Sequence, residues 1–141
     1  MIFKSKKSFL SVSIIYFVIA LLVGLSIYGL ITNGLNIGNI FFCFLTLVFV
    51  TLFFWVLFGT YYQITATHIN YNWGPVKGKI EIKNIKDITA NKTLWVGFRP
   101  ALGFKGVIIK YNKYDEIYFS PIDNEAFINE LLKVNHEIKV N

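Results

Sequence analysis

Residues 55–82 read WVLFGTYYQITATHINYNWGPVKGKIEI. The first residues of this stretch end a long apolar run, whereas apolar and polar residues alternate with a period of two in its last residues. The first pattern is typical of a helix in an apolar medium, and the second of a half-buried β-strand. The chain therefore changes both its surroundings and its secondary structure close to Gly59 and Thr60.

Upstream of this change lie two apolar segments, residues 9–31 and 40–58, which contain no Asp, Glu, Lys or Arg. A helix of about 17 to 25 such residues covers the roughly 30 Å of hydrocarbon in a bilayer. The sequence therefore predicts two transmembrane helices. A secretory signal peptide is the alternative for the first segment, but its apolar region is only about 7 to 15 residues long. An uncleaved anchor is favoured.

The lysines predict how these helices are oriented. Lys4, Lys6 and Lys7 precede the first segment, whereas the loop TNGLNIGN, residues 32–39, has no charge. The positive-inside rule places the N-terminus in the cytoplasm, the loop outside, and everything after the second segment in the cytoplasm. This divides the chain into a basic cytoplasmic N-terminus (residues 1–8), a transmembrane hairpin (9–60) and a cytoplasmic domain (61–141).

The last part of the chain predicts a small α+β domain. Period-two alternation with turns at Thr67-His68 and Gly74-Pro75 indicates about six or seven short antiparallel strands. A final helix is predicted over residues 121–134, with Ser120 as its N-cap. Its apolar positions share one face: Phe127, Ile128, Leu131, Leu132 and Val134. Such a helix is expected to cover an open end of a bent sheet.

Four segments of this domain carry a resemblance to a known family. They read YYQITATHINYNWGP (61–75), IEIKNIKDI (80–88), RPALGFKGVIIKY (99–111) and IYFSPIDNEAFINELL (117–132). Together they resemble the bacterial pleckstrin-homology-like (PH-like) proteins called the YyaB-like family. The resemblance implies a split seven-stranded PH barrel capped by the C-terminal helix, at the inner membrane of a bacterial cell.

The resemblance transfers no catalytic residue, and one element departs from it. Members often carry a Ser and an Arg after the Pro-Ala-Leu element, where this chain has Gly103-Phe104-Lys105-Gly106. The chain also lacks the sequence motifs of hydrolases, zinc peptidases and dinucleotide-binding enzymes. We therefore expect no enzyme activity, no cofactor and no metal. Acidic residues interspersed among few basic ones argue against nucleic acid as a partner.

Lys77, Lys79 and Lys83 cluster around one turn and the strand after it. Near the anionic inner leaflet, electrostatic attraction would contribute about 1 kcal/mol of binding free energy per lysine. These three residues are therefore candidates for a patch that faces anionic lipid headgroups. The alternative is an ordinary solvated face of a strand.

The segment NKTLWVGFRPALGF, residues 91–104, brings large aromatic residues close to the only arginine of the chain. Trp and Arg are enriched in binding hot spots. The candidate partner loop consists of Trp95, Phe98, Arg99 and Phe104. The alternative is that these residues close the barrel or touch the bilayer.

Two functions suit this organisation. The first is a non-enzymatic membrane protein that presents a PH-like module to a protein or lipid partner. Its partners would be the bilayer, anionic headgroups, and another membrane protein or a second copy of the chain. The alternative is a self-immunity protein against a membrane-active peptide bacteriocin, which rests on analogy alone.

Overall fold

The computed structural model describes all 141 residues. The protein consists of two long helices, α1 and α2, and a domain of two sheets and one further helix, α3; the first strand of this domain precedes α1. The helices are α1 (Phe9–Asn33), α2 (Ile37–Phe58) and α3 (Asn124–Val134). The strands are β1 (Ile2–Lys4), β2 (Tyr61–Ile64), β3 (His68–Trp73), β4 (Val76–Glu81), β5 (Ile85–Lys92), β6 (Gly106–Tyr111), β7 (Asp115–Phe119) and β8 (Lys139–Val140).

Helices α1 and α2 are apolar on all sides and contain no Asp, Glu, Lys or Arg. Both are long and apolar enough to cross a membrane. They begin and end close to the predicted bounds, but the connection is shorter than the predicted loop 32–39. The reason is that the Asn36 side chain caps α2 by accepting a hydrogen bond from the Asn39 amide at 2.9 Å.

A polar contact joins the two apolar helices. The hydroxyl groups of Ser26 and Thr46 lie 2.8 Å apart, and both side chains are buried between the helices. Nearer the connection, the side-chain amide of Asn39 donates to the Gly29 carbonyl at 2.9 Å. These bonds satisfy polar groups that would otherwise face an apolar medium, which stabilises the hairpin.

The first sheet has the order β1-β2-β3-β4, and all its neighbours are antiparallel. The turns at residues 65–67 and 74–75 lie close to the positions predicted from the alternation. Strand β1 is a difference from the prediction, which treated residues 1–8 as a segment outside the domain. Phe3 is buried, and the centroid of its ring lies 5.2 Å from that of Phe127. The N-terminus therefore belongs to the folded domain.

The second sheet has the order β7-β6-β5-β8. Strands β5, β6 and β7 are antiparallel neighbours, whereas β8 lies parallel to β5. The last residues of the chain thus extend the sheet. Ile138, just before β8, is buried in the core, which explains why this segment is held in place.

The core lies between the two sheets and α3, which contributes Phe127, Ile128 and Leu131. The predicted α+β domain with a C-terminal helix is confirmed, but its strands form two separate sheets and the barrel does not close. A single bridge between Ser5 and Pro121 joins the sheets on one side, and a short 3₁₀ helix (Ile82–Asn84) separates β4 from β5 on the other. The free edge of β4 carries Lys77 and Lys79, and charged residues at a sheet edge oppose pairing with other chains.

Helix α3 begins at Asn124, later than the predicted residue 121. Its N-cap is Asp123, which accepts from the Ala126 amide at 2.9 Å. Ser120, the predicted cap, is instead fully buried and bonded to Ser5. The predicted apolar face is confirmed for Phe127, Ile128 and Leu131, whereas Val134 at the end of the helix is exposed.

Candidate binding surface

The two apolar helices enter the domain through neighbouring strands. Residues 5–8 connect β1 to α1, and residues 59–60 connect α2 to β2. At this junction Lys4 lies directly opposite Tyr61 in the antiparallel ladder. The turn between β3 and β4 packs on α2 as well, since a Cβ atom on Gly74 would lie 2.7 Å from the Val56 side chain. The domain is therefore held against the helix ends at two places.

A cleft of about 660 Å³ opens at the junction, and we call it the helix-junction groove. Its basic lining consists of Lys4, Lys6 and Lys7, and its apolar lining includes Ile2, Phe58 and Ile122. The three apolar side chains are each more than 60 % exposed. The groove contains no acidic residue. It combines positive charge with exposed apolar surface.

The lysines of the groove have no carboxylate partner. The ion pairs of the protein join His68 or Lys83 to Glu81, and Lys133 to Glu130. The Lys7 ammonium instead lies 4.2 Å from the centroid of the Phe58 ring. Such a cation–π contact holds the side chain near the end of α2 and leaves its charge uncompensated.

Backbone and buried side-chain bonds fix the wall of the groove. The Lys6 amide donates to the Ser120 carbonyl at 2.6 Å, and the Ile122 amide donates to the Lys4 carbonyl at 3.1 Å. Beneath them, the Tyr62 hydroxyl donates to the Pro100 carbonyl at 2.9 Å and lies 3.2 Å from the Ser5 hydroxyl. Burial raises the pKa of the Tyr62 hydroxyl above its ordinary value, because the charged form would be poorly solvated there.

The outer face of the first sheet continues the basic surface beyond the groove. One row across the strands runs Lys4, Tyr61, Asn72, Lys77, and another runs Ile2, Gln63, Asn70, Lys79. A second cleft of about 320 Å³ contains Lys77 and Lys79 and shares Tyr61 and Gln63 with the helix-junction groove. Neither row contains an acidic residue.

The structure separates Lys83 from the other two residues of the predicted basic patch. Lys83 lies in the 3₁₀ helix, and its ammonium is 3.0 Å from a carboxylate oxygen of Glu81. The hydrogen bond and the charge of Lys83 lower the pKa of Glu81. Lys83 lines a different cleft, of about 440 Å³, together with His68. Its charge is therefore largely matched, unlike those of Lys77 and Lys79.

The predicted partner loop divides into a structural part and an exposed part. Arg99 belongs to the structural part, because its guanidinium carbon lies 4.8 Å and 4.9 Å from the ring centroids of Phe104 and Tyr118. It also donates to the Gly103 carbonyl at 2.9 Å. Phe98 pairs with Ile117 at the edge of β7. Both residues thus hold the loop on the second sheet.

The exposed part is the tip of the loop. Trp95 and Val96 are 82 % and 83 % exposed, although the Trp95 ring still lies 6.2 Å from that of Phe104. Sequence reasoning placed all four aromatic and basic residues in one partner site. Only Trp95 among them has most of its surface exposed, so the tip of the loop remains the candidate for partner binding.

Sequence reasoning used Lys4, Lys6 and Lys7 to predict orientation and did not place them in a site. Their closeness to Phe58 and Ile122 depends on contacts between distant parts of the chain. One signal was available: residues 1–80 contain five lysines and no acidic residue, whereas residues 81–141 contain nine basic and eight acidic residues.

Comparison with known proteins decides the family of this domain. The family model described as the bacterial PH domain matches residues 60–135, which is more than half of the chain. The chain belongs to the bacterial PH domain family. No curated protein and no solved structure matches it. The narrower YyaB-like resemblance stays a prediction. Strands β1 and β8 of the PH domain both lie outside the matched residues.

Proposed function

We propose that this protein is a non-enzymatic, membrane-anchored binding module. In this proposal α1 and α2 span the inner membrane of a bacterial cell, and both termini lie in the cytoplasm. The PH domain is then held at the inner surface of the membrane, where it binds a protein or lipid partner. A PH-like fold suits a binding module, and the sequence lacks the motifs of common catalytic sites.

One observation carries this proposal: the helices pass into paired strands with almost no linker. Strand β1 precedes α1 and strand β2 follows α2, and the two strands are hydrogen-bonded neighbours. A flexible linker would let the domain move freely away from the helix ends. Here the outer face of the first sheet keeps a fixed position relative to those ends.

The orientation is supported by charge. The three lysines before α1 are at the same end of the helix pair as the PH domain, and the connection at residues 34–36 is uncharged. Under the positive-inside rule, that end faces the cytoplasm. The domain then lies beside the leaflet that carries the negative surface potential in many membranes, which favours its basic face.

The proposal is tested by photo-crosslinking in intact membranes. A photoreactive amino acid is placed at Trp95, at Tyr61 or, as a control, at Lys113 in the hairpin between β6 and β7 of the second sheet. We expect a specific protein or lipid adduct, or a dimer of the chain, from Trp95 or Tyr61 and none from Lys113. Identical adducts at all three positions would show that the reaction reports proximity in the membrane and would contradict a defined binding surface.

A further inference from the structure

We propose that the helix-junction groove holds the phosphate of one anionic phospholipid from the leaflet in which α1 begins and α2 ends. This inference rests on the proposed membrane orientation and adds a ligand and a site to it. The lysines of the groove would contact the phosphate, and Phe58 and Ile122 would contact the apolar part of the same lipid.

The charge of the groove is matched to an anion. Lys4, Lys6 and Lys7 line it, no acidic residue does, and no carboxylate lies within salt-bridge distance of these lysines. Lysine ammonium groups bind phosphate as point charges. Unpaired lysines that share one cleft repel each other, and a bound phosphate would relieve that repulsion.

The apolar lining favours a lipid over a free phosphate ion. Ile2, Phe58 and Ile122 are 63 %, 70 % and 67 % exposed and stand next to the lysines. Phe58 is the last residue of α2, so it marks the level at which the apolar helix ends. A phospholipid presents phosphate and hydrocarbon at that same level, whereas inorganic phosphate would leave the apolar surface in water.

The groove is also held in shape before any ligand binds. Strand β1 is paired with β2 on one side and bonded to residues 120–122 on the other. Its backbone is therefore not free to rearrange, and only the lysine side chains need to become ordered. Less ordering on binding means that less affinity is lost.

The positive charge of this site comes from residues outside the family match, although Ile122 lies within it. Lys4, Lys6 and Lys7 precede the matched residues 60–135, and the groove exists because β1 adds a strand to the PH domain. Phe58 likewise precedes the match and belongs to α2. The proposed lipid site is thus a property of how this domain is joined to its helices.

Native mass spectrometry of the full chain provides the test. The protein is released from mixed micelles that contain equal amounts of phosphatidylglycerol, which is anionic, and phosphatidylcholine, which is zwitterionic. The groove variants are Ile122→Glu, which adds a negative charge without altering the lysines before α1, and the double variant Lys4→Gln/Lys7→Gln. The matched controls on the second sheet and its hairpin are Val140→Glu and Lys110→Gln/Lys113→Gln.

The wild type is expected to retain one phosphatidylglycerol in preference to phosphatidylcholine. Retention should fall about fivefold for each charge changed in the groove. The controls should retain the lipid as the wild type does, and millimolar inorganic phosphate should not displace it.

Three results would overturn the inference. They are unchanged retention in both groove variants, an equal loss in the controls, and displacement of the lipid by phosphate alone. If the wild type retains lipid and only the location of the site is wrong, the proposed function survives. If photo-crosslinking gives no adduct from Tyr61 or from Trp95, the proposed function fails, whatever the mass spectrometry shows.

Discussion

The outer faces of the two sheets carry charge in opposite ways. On the second sheet, one row of neighbouring residues runs Lys139, Asp87, Lys110, Glu116, so that positive and negative charges alternate across all four strands. On the first sheet, the row from Lys4 to Lys77 has a lysine at each edge and no acid. The second sheet is thus nearly neutral across its width, whereas the first is basic.

This difference follows the attachment of the helices. The basic sheet is the one whose strands β1 and β2 run into α1 and α2, and the neutral sheet is attached to neither helix. A family fold alone would not require such a separation of charge. The face that is fixed beside the helix ends is therefore the one whose lysines lack acidic partners. The following predictions compare the two sheets.

The largest effect is expected where the first sheet depends on its terminal strand. Phe3 is 8 % exposed and packs on Phe127, whereas Val140 in the terminal strand of the second sheet is 45 % exposed. We expect Phe3→Ala to lower the free energy of unfolding by about 3 to 5 kcal/mol through loss of a buried ring. Val140→Ala should change it by less than about 0.5 kcal/mol.

The measurement is urea unfolding of the full chain in detergent micelles, followed by hydrogen exchange of the amides of β6. Equal effects of the two substitutions would mean that β1 contributes no more to the domain than β8 does.

A smaller effect is expected at the buried bonds that join the sheets. The Tyr62 hydroxyl, on the first sheet, donates a hydrogen bond to the Pro100 carbonyl. It also accepts a hydrogen bond, 3.2 Å long, from the backbone amide of Ser120, the residue just after the second sheet. Tyr62→Phe leaves these buried groups unpaired, which should cost about 1 to 3 kcal/mol. Tyr114→Phe is the control, because Tyr114 is 87 % exposed.

The same substitution has a signature in alkaline solution. Burial raises the pKa of Tyr62 above its ordinary value of 10.0, so the folded protein keeps a proton that the unfolded chain releases. This contribution to stability is present below pH 10 and is lost as the pH rises through the folded-state pKa. Tyr62→Phe should therefore make the alkaline loss of stability shallower, and an unchanged slope would contradict the burial of its hydroxyl. Tyr71 and Tyr111 have raised pKa values as well, so part of the slope should remain.

The loop on the second sheet should show the smallest effects and should separate structure from binding. Arg99→Ala is expected to cost about 1 to 2 kcal/mol, because it removes contacts to two rings and a hydrogen bond to Gly103. Trp95→Ala should change stability by less than about 0.5 kcal/mol, since its side chain is exposed. Unfolding in urea measures both. A large loss at Trp95 would assign the loop tip to the fold and remove it as a candidate partner site.

Local patterns predicted the elements whose partners are close in sequence. The apolar runs marked both long helices, and the alternation after Thr60 marked the β2-β3-β4 meander with its turns. Strands β1 and β8 were missed because each is only two or three residues long and pairs with residues more than 50 positions away. The change in the spacing of apolar residues near Asn84 indicated a bend, and the 3₁₀ turn at Ile82–Asn84 lies there. The pattern did not show that this turn would leave the two sheets apart on that side, because the result depends on contacts between distant residues.

The candidate site was predicted only in part. Lys77 and Lys79 do lie on an exposed basic face, but Lys83 is paired with Glu81, an interaction that strand alternation alone does not reveal. The helix-junction groove requires β1, Phe58 and Ile122 to meet, which no local pattern encodes. The self-immunity hypothesis stays a prediction, because no contact in the structure bears on it.

The proposed function depends most directly on the side of the membrane on which each end of the helix pair lies. In a Cys43→Ala background, single cysteines are placed at Asn36 or Leu35 in the connection, and at Lys113 in the PH domain. An impermeant maleimide added to intact cells should label the connection at once, and should label Lys113→Cys only after the membrane is permeabilised. Labelling of Lys113→Cys in intact cells, with the connection protected, would place the PH domain outside the cytoplasm and would contradict the proposed orientation.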